Sequence, residues 1–370
     1  MNIAIFSESF LPLKTGVAKF TYELAYHLRK RNHNVILITG EFGLNYNFDF
    51  EVIKIGKIFK VYANGSYTYF ILENPISIYE KLKNVLKLYK IEIFHNQGPL
   101  GPPFSILSSY FAKRINKDIK TIGTFHSKQM KISKSLKLYS KFAKKFINYN
   151  DVLTAPSLST ANEMKLLFNV NVQVIPNGID LNKFNISKGK LKELENDKYK
   201  ILFVGRLDYR KGIDILLKAF ELINNENMEL IIVGNGPYKN LVLKYKKKLK
   251  NIKLFDNVDD EKLVLFYNSS DVCVFPTRGG EAFGIVLLEA FACSKPVICS
   301  NIDGYNEVAN TNCALFFNPE DYIELSECLM KLYSDENLRN FLSKNAINRA
   351  LEFSWDKVIL EFEKLYHKVS

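Results

Sequence analysis

Gly279-Gly280-Glu281-Ala282-Phe283-Gly284-Ile285-Val286-Leu287-Leu288-Glu289 carries more of the fold and the chemistry than any other run of this chain. Between Gly284 and Cys293 only Glu289 is neither apolar nor small, which predicts a buried helix. A carboxylate on such a helix is costly unless it is paired or hydrogen-bonded. Gly279, Gly280 and Gly284 ahead of it let the backbone approach a ligand closely. The first amides of the helix carry partial positive charge and make an anion site. One carboxylate in the mouth, amides beside it and a second carboxylate inside suit a ligand with hydroxyls at both ends and phosphates between, as in a nucleotide-sugar. The plainer alternative is a core helix whose Glu289 bonds a neighbouring backbone amide.

Apolar runs at 272–275 and 296–299 flank that helix and read as strands. Further strands are predicted at 200–204, 230–233 and 252–254, with helices between them. The first half shows the same alternation, with strands at 2–6, 34–39, 91–95, 121–125, 151–155 and 173–175. Thr15 is placed to cap a helix on which Val17, Phe20, Leu24 and Leu28 recur at helical spacing. This pattern predicts an α/β protein of doubly wound parallel sheets. At 370 residues the chain exceeds what one core usually organises, so two domains are expected, with a break near Pro176-Asn177-Gly178. Ligands of open parallel sheets bind beyond the carboxyl ends of the strands, so the two domains are expected to face a cleft.

Strand-end loops supply the candidate groups. Gly205-Arg206 through Lys211-Gly212 follows the run at 200–204; Arg offers a planar fork to phosphate oxygens and Lys a point charge. Together they would hold a diphosphate and stabilise it as a leaving group; a solvated basic turn is the plain alternative. Gly234-Asn235-Gly236-Pro237 closes the next strand, although a Gly-x-Gly alone is often only a turn. In the first half, Gly16 opens a helix after Pro12, and His126 lies just past the run at 121–125. No Gly-x-Gly-x-x-Gly follows the first strand, which argues against a dehydrogenase.

The motifs Pro12…Gly16-Val17, Thr124-Phe125-His126, Pro176-Asn177-Gly178-Ile179-Asp180, Gly205-Arg206…Lys211-Gly212 and Gly234-Asn235-Gly236-Pro237 keep a shared order. They continue through 271–276, the Glu281…Glu289 run, Lys295-Pro296-Val297 and Phe353-Ser354-Trp355. In this order they resemble the retaining nucleotide-sugar glycosyltransferases of the GT-B fold with a Glu-x7-Glu motif (glycosyltransferase family 4). Phosphatidylinositol mannosyltransferases and diacylglycerol glucosyltransferases are among the similar members. The resemblance implies two Rossmann-like domains, an acceptor-binding one over 1–172 and a donor-binding one over 173–353, with 354–370 a helix crossing back to the first. It implies that Glu281 bonds hydroxyls of the donor sugar, with Phe283, Gly284 and Ile285 near sugar and phosphate, and that Glu289 holds the ribose. Arg206 and Lys211 would bind the diphosphate with Gly16, Gly205, Gly234 and Gly236 lining it, and His126 would sit beside the transferred sugar. Departures at Asn257 and at Asp303-Gly304, where paired glycines are common, blur the base pocket and part of the acceptor side, and Lys14-Thr15 stands where some relatives have a further glycine, so the first loop would contact phosphate differently. The resemblance further implies no metal and no cofactor besides the donor, and no Asp-x-Asp suggests otherwise.

The formal charge of +12 asks for an anionic partner. Lys128, Lys131, Lys134, Lys137, Lys141, Lys144 and Lys145 interleave with Ile132, Leu136, Tyr139, Phe142 and Phe146, the pattern of a helix lying on an anionic membrane surface. A helix with merely solvated lysines is the alternative, and this is the reading for 244–250. The basic runs fall on separate helices without a recognition motif, so no nucleic-acid partner is expected. No signal peptide or membrane span is legible, and the five cysteines include no Cys-x-x-Cys pair; a cytoplasmic enzyme, peripheral on the membrane, with free thiols is expected. The expected activity is transfer of a hexose from a UDP- or GDP-linked donor to a hydroxyl of a lipid or glycan acceptor. Alternatives are a soluble sugar acceptor or a sugar-nucleotide epimerase.

Overall fold

The computed structural model describes residues 1–13, 15–42, 47–63, 66–101 and 104–370, so Lys14 lies outside the described residues. The chain divides into two compact units, 1–178 with 355–370, and 179–354.

The first unit runs β1 (Asn2–Phe6), α1 (Gly16–Lys30), β2 (Asn34–Glu41), β3 (Glu51–Ala63), β4 (Ser66–Leu72), α2 (Pro75–Leu88), β5 (Ile93–Gln97), α3 (Ser105–Ile115), β6 (Lys120–Thr124), α4 (Lys134–Ile147), β7 (Val152–Ala155), α5 (Leu158–Phe168) and β8 (Gln173–Val174). Its sheet is ordered β4-β3-β2-β1-β5-β6-β7-β8. β1 is the switch point, paired in parallel with β2 on one side and β5 on the other. Successive side chains enter opposite layers. Ile3, Ile5, Val35 and Leu37 pack with Phe20 and Leu24 of α1, whereas Ala4, Phe6, Ile36 and Ile38 pack with Leu82 of α2 and Ala112 of α3. Thr15 caps α1, its side chain accepting from the Ala18 amide. The expectation of parallel strands alone is corrected at one edge, where β3 and β4 form an antiparallel hairpin. Lysines at 54, 57 and 60 interrupt its apolar residues, so the run lacks the continuous hydrophobicity of a buried strand.

The second unit runs β9 (Tyr199–Val204), α6 (Ile213–Ile223), β10 (Met228–Val233), α7 (Lys239–Lys248), β11 (Ile252–Phe255), α8 (Asp260–Ser269), β12 (Val272–Phe275), α9 (Ile285–Ala292), β13 (Val297–Ser300), α10 (Asp303–Asn306), β14 (Ala314–Phe317), α11 (Tyr322–Ser334) and α12 (Glu336–Glu352). The sheet is ordered β11-β10-β9-β12-β13-β14 and every pair in it is parallel. Both faces are covered. Leu202, Ile231, Cys273 and Cys299 enter the layer with α8 and α9, while Ile201, Phe203, Ile232 and Val274 enter the layer with α6 and α11. The last helix, α13 (Trp355–Val369), belongs to the first unit, where Trp355, Val358, Phe362 and Tyr366 complete the layer around α1. Among the described residues no helix is long and apolar enough to cross a membrane. All five cysteines are free, four of them buried.

Candidate active site

The order β10-β9-β12 places the topological switch of the second sheet between β9 and β12, the position at which open α/β sheets bind ligands. Three loops emerge there, 205–212 after β9, 234–238 after β10 and 276–284 after β12. They touch closely. Gly212 has φ 68° and a Cβ there would fall onto the Pro276 carbonyl oxygen, so only glycine lets the β9 and β12 loops meet. Gly234 and Gly236 pack against the carbonyls of Gly205 and Leu207 in the same way.

Glu281 is the centre of this junction. Its Oε1 accepts from Lys211 Nζ at 2.7 Å and from Arg210 Nη1. Burial works against the charged carboxyl, but Lys211 and Arg210 outweigh it and hold the pKa below the ordinary value. Asp208 fixes the same loop, its Oδ1 accepting the Lys211 amide at 2.9 Å and its Oδ2 lying 3.2 Å from Arg206 Nε. Lys211 and Glu281 therefore meet directly, and Arg206 is tied to the same loop through Asp208. Arg210 also meets Glu281, although nothing in the sequence singles it out, because it adjoins Lys211 and reads as part of one basic turn.

Behind Glu281 the run enters α9 as expected, with Gly284 as the N-cap and no side chain capping the first turn. Phe283 is buried against Phe353, their ring centroids 5.7 Å apart, and Ile285 begins the helix. Glu289 is buried on α9, and its Oε2 accepts from the Tyr267 hydroxyl of α8 at 2.9 Å. This partner was not legible, since nothing in the sequence marks α8 as a neighbour of α9. The departures also resolve locally. Asn257 has φ 54°, the left-handed conformation that glycine would take and that Asn tolerates. Gly304 lies where a Cβ would overlap the Glu281 carbonyl oxygen, so the glycine retained there is the one that Glu281 requires.

Gly16 and His126 belong to the first unit. Gly16 is the first residue of α1, and a Cβ on it would meet open space. His126 follows β6, partly exposed; its Nε2 is 2.7 Å from Gln97 Oε1 and its ring 4.8 Å from that of Phe20. Burial pushes its pKa down to about 3, which keeps the imidazole neutral. The basic stripe is shorter than its sequence implies, because Lys128 and Lys131 precede α4 and lie outside the helix. α4 buries Ser140, Ala143 and Ile147, leaving Leu138 and Phe142 exposed among Lys134, Lys137, Lys141 and Lys145. Among the described residues no three His, Cys, Asp or Glu side chains gather as a metal would need.

Residues 14–183 match the family model described as Glycosyltransferase Family 4, and residues 187–349 match that described as Glycosyl transferases group 1. The capsular polysaccharide biosynthesis glycosyltransferase CapM of Staphylococcus aureus is 27% identical, over 92% of this chain and 96% of that protein. A phosphatidyl-myo-inositol mannosyltransferase of Mycolicibacterium smegmatis is 26% identical, over 96% of this chain and 90% of that protein. The crystal structure of Anabaena HepE in complex with UDP and glucose superposes with a TM-score of 0.77 at 16% identity, covering 99% of both chains.

Proposed function

Because this chain is a GT-B glycosyltransferase, a family 4 domain followed by a group 1 domain, we propose that it moves a hexose from a nucleotide-sugar to a hydroxyl of a lipid or glycan acceptor, retaining the anomeric configuration. The observation that carries this reading is the junction at the switch point, where Arg210 and Lys211 meet on Glu281 beside the uncapped start of α9 and Arg206 is held by Asp208 in the same β9 loop. Cations and a helix N-terminus together suit a diphosphate. Glu281 then suits the sugar hydroxyls, and buried Glu289, held by Tyr267, suits the ribose diol.

In the proposed reaction the bond from the anomeric carbon to the diphosphate breaks while the acceptor oxygen bonds the same face. The acceptor proton passes to a departing diphosphate oxygen, giving glycoside and nucleoside diphosphate. Arg206 and Lys211 stabilise the charge that develops on the leaving group, and the step needs no metal. The names of the two relatives, one a glycosyltransferase of capsular polysaccharide biosynthesis and one a phosphatidyl-myo-inositol mannosyltransferase, support a lipid or glycan hydroxyl as acceptor. The UDP and glucose in the HepE structure support a nucleotide-sugar donor. The exposed Leu138 and Phe142 among lysines on α4 support contact with an anionic membrane.

Thermal stabilisation by UDP, GDP and ADP tests the donor site, with Glu289→Ala as control. We expect one nucleotide to raise the melting temperature of the wild type and to lose that effect in the variant. No shift with any of them at millimolar concentration would sink the reading.

A further inference from the structure

We propose that Arg278 is a positioning residue that sets diphosphate affinity by holding the loop carrying Arg210 and Lys211 against Glu281. The diphosphate rests on the glycosyl-transfer reading above; the holding does not. Arg278 stands one residue before the glycine-rich turn, in the loop after β12. Its guanidinium forks onto Asp214 in the first turn of α6, Nη1 to Oδ1 at 2.9 Å and Nη2 to Oδ2 at 2.7 Å. Its Nε donates to Glu320 at 2.8 Å, and Nη1 also donates to the Tyr209 carbonyl at 2.5 Å. Its backbone N–H donates to the Arg210 carbonyl at 2.9 Å, and the guanidinium lies 4.0 Å over the Tyr209 ring.

The side chain is 9% exposed and every guanidinium nitrogen has a protein partner, so Arg278 is not a cation offered to substrate. The two groups it grips in the β9 loop, the carbonyls of Tyr209 and Arg210, immediately precede Lys211. A shift of that backbone therefore moves both cations that meet on Glu281. Of its two carboxylate partners, Asp214 is the effective one. Glu320 is 59% exposed and such a pair contributes little, whereas the Asp214 fork is largely shielded and bidentate.

The test uses the full chain with Arg278→Lys, which keeps the charge but loses the fork, and with the charge-balanced double variant Arg278→Gln/Asp214→Asn. Amide hydrogen exchange over 208–212 and the titration of the Glu281 carboxyl read the positioning without any ligand. Calorimetry with UDP, GDP and ADP reads the affinity. We expect faster exchange in that loop with β9 unchanged, an upward move of the Glu281 pKa, and nucleotide affinity weaker by about 10-fold or more in both variants. Unchanged exchange and titration, or wild-type nucleotide affinity in both variants, would overturn the proposal. A wild type that binds no nucleotide, while the variants still loosen the loop, would remove the donor reading and the affinity role but leave the holding role intact.

Discussion

At the scale of the residue, Glu281 is the most informative side chain, because its carboxylate engages the two cations that a diphosphate would want. Replacing it with Gln keeps the shape and removes the charge that holds Arg210 and Lys211. UDP should then bind more weakly to Glu281→Gln, since those cations lose the carboxylate that positions them, while sugar transfer falls by about 100-fold or more for want of the hydroxyl partner. Calorimetry with UDP alongside turnover measures both. Tighter UDP binding in the variant would show that Glu281 competes with the phosphate for the cations rather than organising them. The motif placed Glu281 and Lys211 in one site from sequence; it gave no sign that they touch, because seventy positions of chain separate them.

Two elements of the first unit carry predictions of their own. α4 leaves Leu138 71% and Phe142 54% exposed, so Leu138→Ser with Phe142→Ser should preserve folding. The pair should nonetheless abolish co-sedimentation with phosphatidylserine vesicles if this face meets a membrane; retained binding would move the contact elsewhere. The second element tie is Glu8, buried after β1, where it accepts from the Ile71 amide of β4 at 3.2 Å and from Ser105 Oγ of α3 at 2.6 Å. Burial raises its pKa from 4.5 to about 7, with the hydrogen bonds opposing that shift. A raised carboxyl favours the fold in its protonated form. Its contribution is complete below pH 4.5 and is lost as pH rises through about 7, roughly 3 kcal/mol in all. Glu8→Gln should remove that slope, so denaturant stability of wild type relative to the variant should fall between those limits. A pH-independent difference would refute the buried neutral carboxyl.

At the scale of the whole molecule, each unit has its own core layers, so two unfolding transitions are expected. The only tryptophan, Trp355, lies in the first unit's core and reports on that unit by fluorescence. Saturating UDP should raise the calorimetric transition of 179–354, by roughly 2.7 kcal/mol at 100 times Kd, and leave the tryptophan midpoint in place. A shift confined to the tryptophan signal would contradict a donor site built from the β9, β10 and β12 loops. The alternation of strands and helices, the buried helix with its inward carboxylate and the glycine-punctuated strand ends are all legible in residue order alone. Those are local or periodic signals: an apolar run, a helical spacing, a backbone that must turn. It takes the folded chain to show that Arg210 joins Lys211 on Glu281, that Tyr267 meets Glu289, that Arg278 grips the β9 loop, and that residues 51–72 turn back as an edge hairpin. The first three depend on the order of strands in a sheet, which brings distant loops and helices together and which no local pattern encodes; the hairpin is a pairing of consecutive strands that the sheet admits only at its edge.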